Sequence, residues 1–310
     1  MGAEEGLSVM HEFARRIIKP GKATLARSAL RWVVRRYFQL RWAFAPTYRS
    51  PTDEELAQIE RDLVANGIHC QDFAVDAAEF RRFKETAGFQ HVYHGGKVGG
   101  VFNEKNLEHF VAWKLIGLER LQAAPYLDIA ACASPWARLL RERGIEAFAI
   151  DLELPEPQAH LTYYRQEDAT RTSFEDASIG GASLQCAYEM FVGNHDIALV
   201  HELSRIMKPG GRVVISPLYT HTHPCYYQTP DYFGRSLGDT GATGYIRRDC
   251  WGVAASRKYS VDTLQRRVWD TAIAVGLTPS LLVLRNKKEI GSDIYLHFIL
   301  LLDKPDHAIH

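Results

Sequence analysis

The chain has few cysteines, no long apolar run, no low-complexity tract and no surplus charge of either sign. Its five cysteines, Cys70, Cys132, Cys186, Cys225 and Cys250, are scattered over 310 residues and form no C-x-x-C pair. That spacing excludes a zinc ribbon and argues against a disulfide framework, and it suits free thiols in a reducing compartment. No apolar stretch reaches the roughly 18 residues that a spanning helix needs, and MGAEEGLSVMHEF lacks the basic-then-apolar order of a secretory signal. A cytoplasmic chain is the expectation. Formal net charge is zero, so the molecule as a whole offers no electrostatic case for nucleic acid. There is no Ser/Gly/Pro-rich tract and no internal repeat. With 46% hydrophobic and 24% charged residues, the composition is that of a globular enzyme with a sizeable core.

Charge is nevertheless uneven. Residues 1–50 hold ten Lys or Arg against three Glu. Within ALRWVVRRYFQLRWAF, Leu30, Val33, Tyr37, Leu40 and Phe44 recur at steps of three and four on one helical face, while Arg27, Arg31 and Arg35 line another. A basic amphipathic helix flanked by Trp32 and Trp42 suits peripheral contact with an anionic membrane through 27–44, or packing on its own domain or a partner. Residues 51–124 follow as a helical cap and lead-in: Thr52 opens a capped helix that Gly67 stops, and a glycine-rich loop at 94–100 leads into another.

From Pro125 to about Pro305 strands and helices alternate, which predicts a doubly wound, mostly parallel α/β sheet. PYLDIA, EAFAIDL, HLTYYRQ, ASLQCAYEMF and GGRVVISPLY read as its first five strands. PSLLVLRN and IYLHFILLLD read as a closing antiparallel pair. Residues 219–259 stand out as a long irregular insertion rich in Tyr, Gly, His and Arg, the kind of segment that often binds ligands.

In such sheets ligands sit beyond the carboxyl ends of the strands. Here those ends are small or acidic. Asp128 is followed by Ala130, Ala131, Cys132 and Ser134 and then a helix, and Asp151 comes about twenty residues after the loop, where a carboxylate can accept the hydroxyls of a ribose. Taken alone, the pattern also describes a nicotinamide dinucleotide site, or two helix caps.

LDIAACAS, AIDL, EDATRTSFEDASIGGASLQCAYEMF and HELSRIMKPGGRVVISPLY together resemble the motifs of class I S-adenosylmethionine-dependent methyltransferases, with the K-P-G-G turn the most specific. The resemblance spans roughly residues 92–304 and implies a Rossmann-like, seven-stranded sheet with S-adenosylmethionine as cofactor. It places the donor's amino-acid end near Asp128, Ala130, Ala131 and Ser134, its ribose on Asp151 beside Leu152, and its adenine near Asp168 and Ala169 with Phe174 alongside. Ala187 to Glu189 would lie under the methyl group, and Tyr93 and Lys105 would close over the cofactor. The D-x-A-A-x-x-S-P start resembles a subset of the family from surface-polysaccharide gene clusters.

Methyl transfer to a hydroxyl needs a base. Glu189, His195 and Asp196 follow the fourth strand and His221 and His223 the fifth, with a neutral imidazole preferred. The His221/His223 pair with Asp231 or Asp249 lacks an ordered ligand spacing, so no metal is expected. Tyr226, Tyr227, Tyr232, Tyr245 and Trp251 suit stacking on sugar rings, and Arg247 and Arg248 suit an anion. The expected activity is O-methylation of a glycan or other polar small molecule. The alternative is a non-catalytic scaffold member, motivated by Ala130, Cys132 and Ser134 standing where the family usually has glycine, since a Cβ disfavours positive φ.

Overall fold

The computed structural model describes residues 25–90, 101–121, 124–154 and 156–306. Tyr93, one of the expected cofactor-binding residues, lies outside them.

Helix α1 (Leu25–Arg41) carries no acidic residue. Helix α2 (Asp53–Ala65) opens with a capping box, in which the Thr52 hydroxyl accepts from the Glu55 N–H while Glu55 accepts from the Thr52 N–H. That arrangement satisfies two donors at the helix start and is worth about 1 kcal/mol. The chain then forms β1 (Cys70–Phe73), α3 (Ala77–Thr86) and α4 (Phe102–Ile116). The main alternation follows as β2 (Tyr126–Ile129), α5 (Trp136–Arg141), β3 (Ala147–Asp151), β4 (Tyr164–Gln166), β5 (Ile179–Gln185), α6 (His195–Ile206) and β6 (Met207–Leu218). Helix α7 (Val261–Leu264) runs through a π-helical stretch, Gln265–Trp269, into Asp270–Ala274. The last strands are β10 (Thr278–Leu284) and β11 (Phe298–Asp303).

The main sheet has eight strands, in the order β1-β10-β11-β6-β5-β2-β3-β4. Every pairing is parallel except those of β11, which runs antiparallel to both β10 and β6. The count of seven is therefore corrected to eight. The added strand is β1, contributed by the lead-in: Cys70–Phe73 pairs in register with Leu281–Leu284. Four residues with the burial pattern of a half-covered edge carry too little periodicity to announce a strand.

One core layer holds Leu199, Leu203 and Val268 against Ile129, Leu184 and Ile215; the opposite one holds Leu107, Phe110 and Val111 of α4 against Val214, Leu282 and Ile299. The K-P-G-G segment shows why glycine is needed there. Gly210 has φ +75°, and a Cβ on Gly211 would stand 2.8 Å from the Lys208 carbonyl oxygen and 3.0 Å from that of Gly180.

Residues 219–259 are more regular than expected. They build a second sheet, β8-β7-β9, from β7 (Cys225–Gln228), β8 (Thr243–Ile246) and β9 (Ser256–Lys258). Residues 46–48 join it: the Ile246 N–H donates to the Pro46 carbonyl at 2.8 Å and the Tyr48 N–H to the Ile246 carbonyl at 2.9 Å. The N-terminal segment is thus fastened to the insertion.

The apolar stripe of α1 faces outward. Val34 and Phe38 are buried, with Trp42 and Trp251 packed on them, whereas Trp32 (68% exposed), Leu40 (61%), Phe44 (103%), Leu30, Val33 and Tyr37 remain open.

Candidate functional site

The strand order reverses between β2 and β5, and the segments after both strands hold strained, buried and polar residues. Ala130 (φ +55°), Cys132 (φ +48°) and Cys186 (φ +52°) all take the left-handed region without being glycine. Such residues cost of order 1–3 kcal/mol each and persist only where the surroundings enforce them. Here the enforcement is visible. The Cys132 N–H donates to Asp151 Oδ2 at 2.7 Å, the Ala131 N–H to the Ile150 carbonyl at 3.0 Å, and the Tyr164 hydroxyl to the Ser134 carbonyl at 2.5 Å. The Ser134 hydroxyl in turn accepts from the Trp136 N–H at the start of α5. The alanine and cysteine thus adopt a glycine-like loop at an energetic cost.

Asp128 is fully buried, and neither of its carboxylate oxygens has a hydrogen-bond partner among the described residues. Burial pushes its carboxyl up to about 7, while the nearby Ser134 hydroxyl and the Lys105 ammonium pull the other way. An unpaired buried carboxylate is costly and calls for a donor. Asp151 receives the N–H groups of Cys132 and Glu153, yet a carboxylate offers about four lone-pair sites, so capacity for ribose hydroxyls remains. Leu152 is exposed beside it. Asp168 accepts from the Thr170 N–H and hydroxyl through one oxygen, which holds its carboxyl below the usual range. Ala169 and Phe174 are buried nearby, with Phe174 packed on Phe148 at 5.5 Å and the Arg165 guanidinium 4.7 Å above its ring.

Beyond β5 lies a second group, most of which sequence reasoning missed. Cys186 Sγ is 3.3 Å from Glu189 Oε1, 3.4 Å from the Tyr219 hydroxyl and 4.0 Å from that of Tyr295. Glu189 Oε2 is buried with no partner among the described residues. Lys258 is buried with Nζ 3.4 Å above the Tyr219 ring and 2.9 Å from Ser256 Oγ, and burial pulls its ammonium down to about 8 despite the attraction of Glu189. Helix α4 adds Lys105 and Glu108, an ion pair at 2.7 Å inside the protein, and Glu104, which accepts the Tyr295 N–H. Burial raises both glutamates. Lys105 Nζ also lies 3.4 Å from the carbonyl of Gln185, the last residue of β5. In sequence, NEKNLEHF reads as part of the helix after the glycine-rich loop, with Lys105 alone named for the cofactor; Glu104 and Glu108, at i, i+4 on either side of it, are not.

The other expected residues are placed elsewhere. Asp196 is buried in ion pairs with Arg257 (2.5 Å) and Arg267 (2.6 Å) and accepts the Tyr259 hydroxyl at 2.8 Å, a structural network. His195 is exposed, its Nδ1 against the Val192 carbonyl. His221 lies beside Tyr48 and His223, and His223 Nε2 meets the Tyr245 hydroxyl at 2.9 Å. Ala187 is buried at the start of the short 3-10 turn that carries Glu189. The aromatics and arginines of the insertion are mostly spent on packing: Tyr227 on Tyr48, Trp251 on Phe38, Arg247 on Asp249 and Tyr227, and Arg248 on the Trp42 and Ala45 carbonyls.

Residues 127–215, which contain Asp128, Asp151, Asp168 and Glu189, match the family model described as a methyltransferase domain. No curated protein matches the chain. Among solved structures it is similar to 1,6-didemethyltoxoflavin-N1-methyltransferase of Burkholderia thailandensis (14% identity, 84% of this chain and 94% of that one, TM-score 0.44). It is also similar to a SAM-dependent methyltransferase of Methanosarcina mazei (15%, 62% and 98%, TM-score 0.43) and to a geranyl diphosphate methyltransferase (15%, 76% and 98%, TM-score 0.41). The matched residues run from β2 to β6, the first five strands of the alternation.

Proposed function

We propose that the chain transfers a methyl group from S-adenosylmethionine to a hydroxyl of a polar small molecule, a glycan unit among the acceptors considered. The observation that carries this reading is Asp128: a buried carboxylate whose oxygens have no hydrogen-bond partner among the described residues, at the head of a loop whose alanine and cysteine accept positive φ. The donor has a cationic amine to offer Asp128 and ribose hydroxyls to offer Asp151. Asp168 and Ala169 border its adenine, and Ala130, Ala131 and Ser134 let its amino-acid end approach the backbone.

S-adenosylmethionine, when bound, supplies an electrophilic methyl on a sulfonium. The chain's own work is to hold the acceptor in line, exclude water and take a proton. Glu189, with one oxygen unpaired, is the base that removes the hydroxyl proton. Lys258 and Tyr219 orient the acceptor oxygen, and Lys105 and Glu108 shape the wall beside them. Among the described residues His221 and His223, expected as bases, meet Tyr48, Thr222 and Tyr245 rather than Cys186 or Glu189. The scaffold reading loses its motive, because the loop holds its glycine-like shape without glycine.

Calorimetry with S-adenosylmethionine and S-adenosylhomocysteine, followed by radiolabel transfer to a cell extract, tests this. No binding at millimolar cofactor sinks the reading, and binding without transfer returns the scaffold alternative.

We further propose that α1 rests on an anionic membrane surface. No described helix is long and apolar enough to cross a membrane. The support is the outward stripe of Leu30, Val33, Tyr37, Leu40 and Phe44 next to Arg36 and Arg41, with no acidic residue in the helix. Sedimentation with anionic and neutral vesicles checks it: Leu40→Glu with Phe44→Glu should abolish binding to the anionic ones. Equal partitioning of variant and parent would discard the idea.

A further inference from the structure

We propose that His221, His223 and Cys225 form a binding site for a divalent transition metal of the zinc class. The three residues sit at i, i+2 and i+4 where the chain bends at Thr222 and His223 just before β7. One ligand atom of each lies within 4.8 Å of the others. Sequence reading considered the two histidines with Asp231 or Asp249 and left out Cys225. Asp231 is in fact taken by the Thr229 hydroxyl and the Gly252 N–H, and Asp249 by Arg247.

The chain around the three residues is held from outside. The His221 N–H donates to the Tyr259 carbonyl at 2.8 Å, Thr220 bridges to Tyr259, and Cys225 begins β7, paired on one side with Thr243 and on the other with Lys258. The imidazoles of His221 and His223 stand 4.5 Å apart at 78°, and both Nδ1 atoms are 3.2 Å from the one Thr222 hydroxyl. With the Tyr245 hydroxyl on Nε2 of His223 at 2.9 Å, Nδ1 is the ligating nitrogen, and the Thr222 hydroxyl now against it turns aside when the ion binds. A ligating histidine characteristically gives its second nitrogen to such an outer partner.

Zinc binds histidine nitrogen at about 2.0–2.1 Å and thiolate sulfur at about 2.3 Å, so for two nitrogens and one sulfur the tetrahedral ligand atoms are roughly 3.3–3.6 Å apart. The observed spread, up to 4.8 Å, exceeds that by at most about 1.5 Å, a gap that side-chain rotations close. Two imidazoles and one thiolate suit zinc among the common divalent ions, and three protein ligands leave a fourth position for water or a substrate oxygen. The ion would clamp the connection between β6 and β7, where the insertion leaves the main sheet. The site stands apart from the methyltransferase reading and does not depend on it.

The test uses the full chain, stripped with chelator, reloaded with zinc or cobalt and desalted before the metal is counted. Wild type should retain roughly one ion per chain. Its cobalt form should show a thiolate-to-metal charge-transfer band together with tetrahedral d–d bands. Cys225→Ser should lose that band, and His223→Gln should lower affinity at least about tenfold. Cys70→Ser should change neither, and circular dichroism reports folding. If Cys225→Ser does not fold, His223→Gln, at a less buried position, decides the matter. Failure of wild type to retain metal, or equal retention by folded Cys225→Ser or His223→Gln, overturns the proposal.

Discussion

The backbone N–H of Cys132 donates to Asp151 Oδ2 at 2.7 Å, so the loop that leaves β2 is fastened to the last residue of β3. Asp151 therefore serves two purposes, as the proposed ribose acceptor and as the anchor of a strained loop. Asp151→Ala should lower S-adenosylmethionine affinity on the order of 10–100-fold, since hydrogen bonds to a charged acceptor are worth about 1.5–3 kcal/mol. It should also lower the melting temperature of the ligand-free chain. Calorimetry and a thermal melt separate the two effects. An unchanged melt would show that the anchor contributes nothing.

Ala130→Gly and Cys132→Gly should each stabilise the protein. Release of a non-glycine residue from positive φ gains about 1–2 kcal/mol, and the extra chain entropy of glycine takes back about 0.5–1 kcal/mol. A net gain near 1 kcal/mol per site is expected in urea titrations. Destabilisation by either would mean that the Cβ packs usefully.

Asp196→Ala should cost about 1.5–3 kcal/mol, because it removes the buried acceptor shared by Arg267 and the Tyr259 hydroxyl while Arg257 keeps its pair with Asp239. Chemical denaturation measures this. A cost below about 1 kcal/mol would place the network among weak surface pairs.

Asp128 sets a pH dependence whose sign differs from that of most carboxylates. Its folded value, pushed up to about 7 by burial, lies above the unfolded value near 3.8. Between those limits the folded chain binds more protons than the unfolded one, so Asp128 makes stability fall as pH rises, with a slope of at most about 1.4 kcal/mol per pH unit. Asp128→Asn should flatten that segment of the stability curve. Affinity for the cationic donor should move the opposite way, rising with pH through about 7 as Asp128 ionises. Parallel pH profiles of wild type and Asp128→Asn would refute this.

The sequence by itself determined the βα alternation, the acidic strand ends at Asp128 and Asp151 and the terminal antiparallel pair. Each is a local pattern, in which periodicity, turn chemistry and spacing along the chain carry the information. Tertiary structure alone decided the rest. It decided that Cys70–Phe73 joins the sheet as an eighth strand, because edge pairing depends on a neighbour more than 200 residues away. It decided that Glu104, Lys105 and Glu108 are interior, because helical spacing fixes which residues share a face but not what that face meets. The same reason turned the apolar stripe of α1 outward and left Val34 and Phe38 to dock. For the cofactor loop, the sequence showed that glycine is missing; only the fold, through Asp151, Ile150 and Tyr164, shows how Ala130 and Cys132 are held in glycine's conformation all the same.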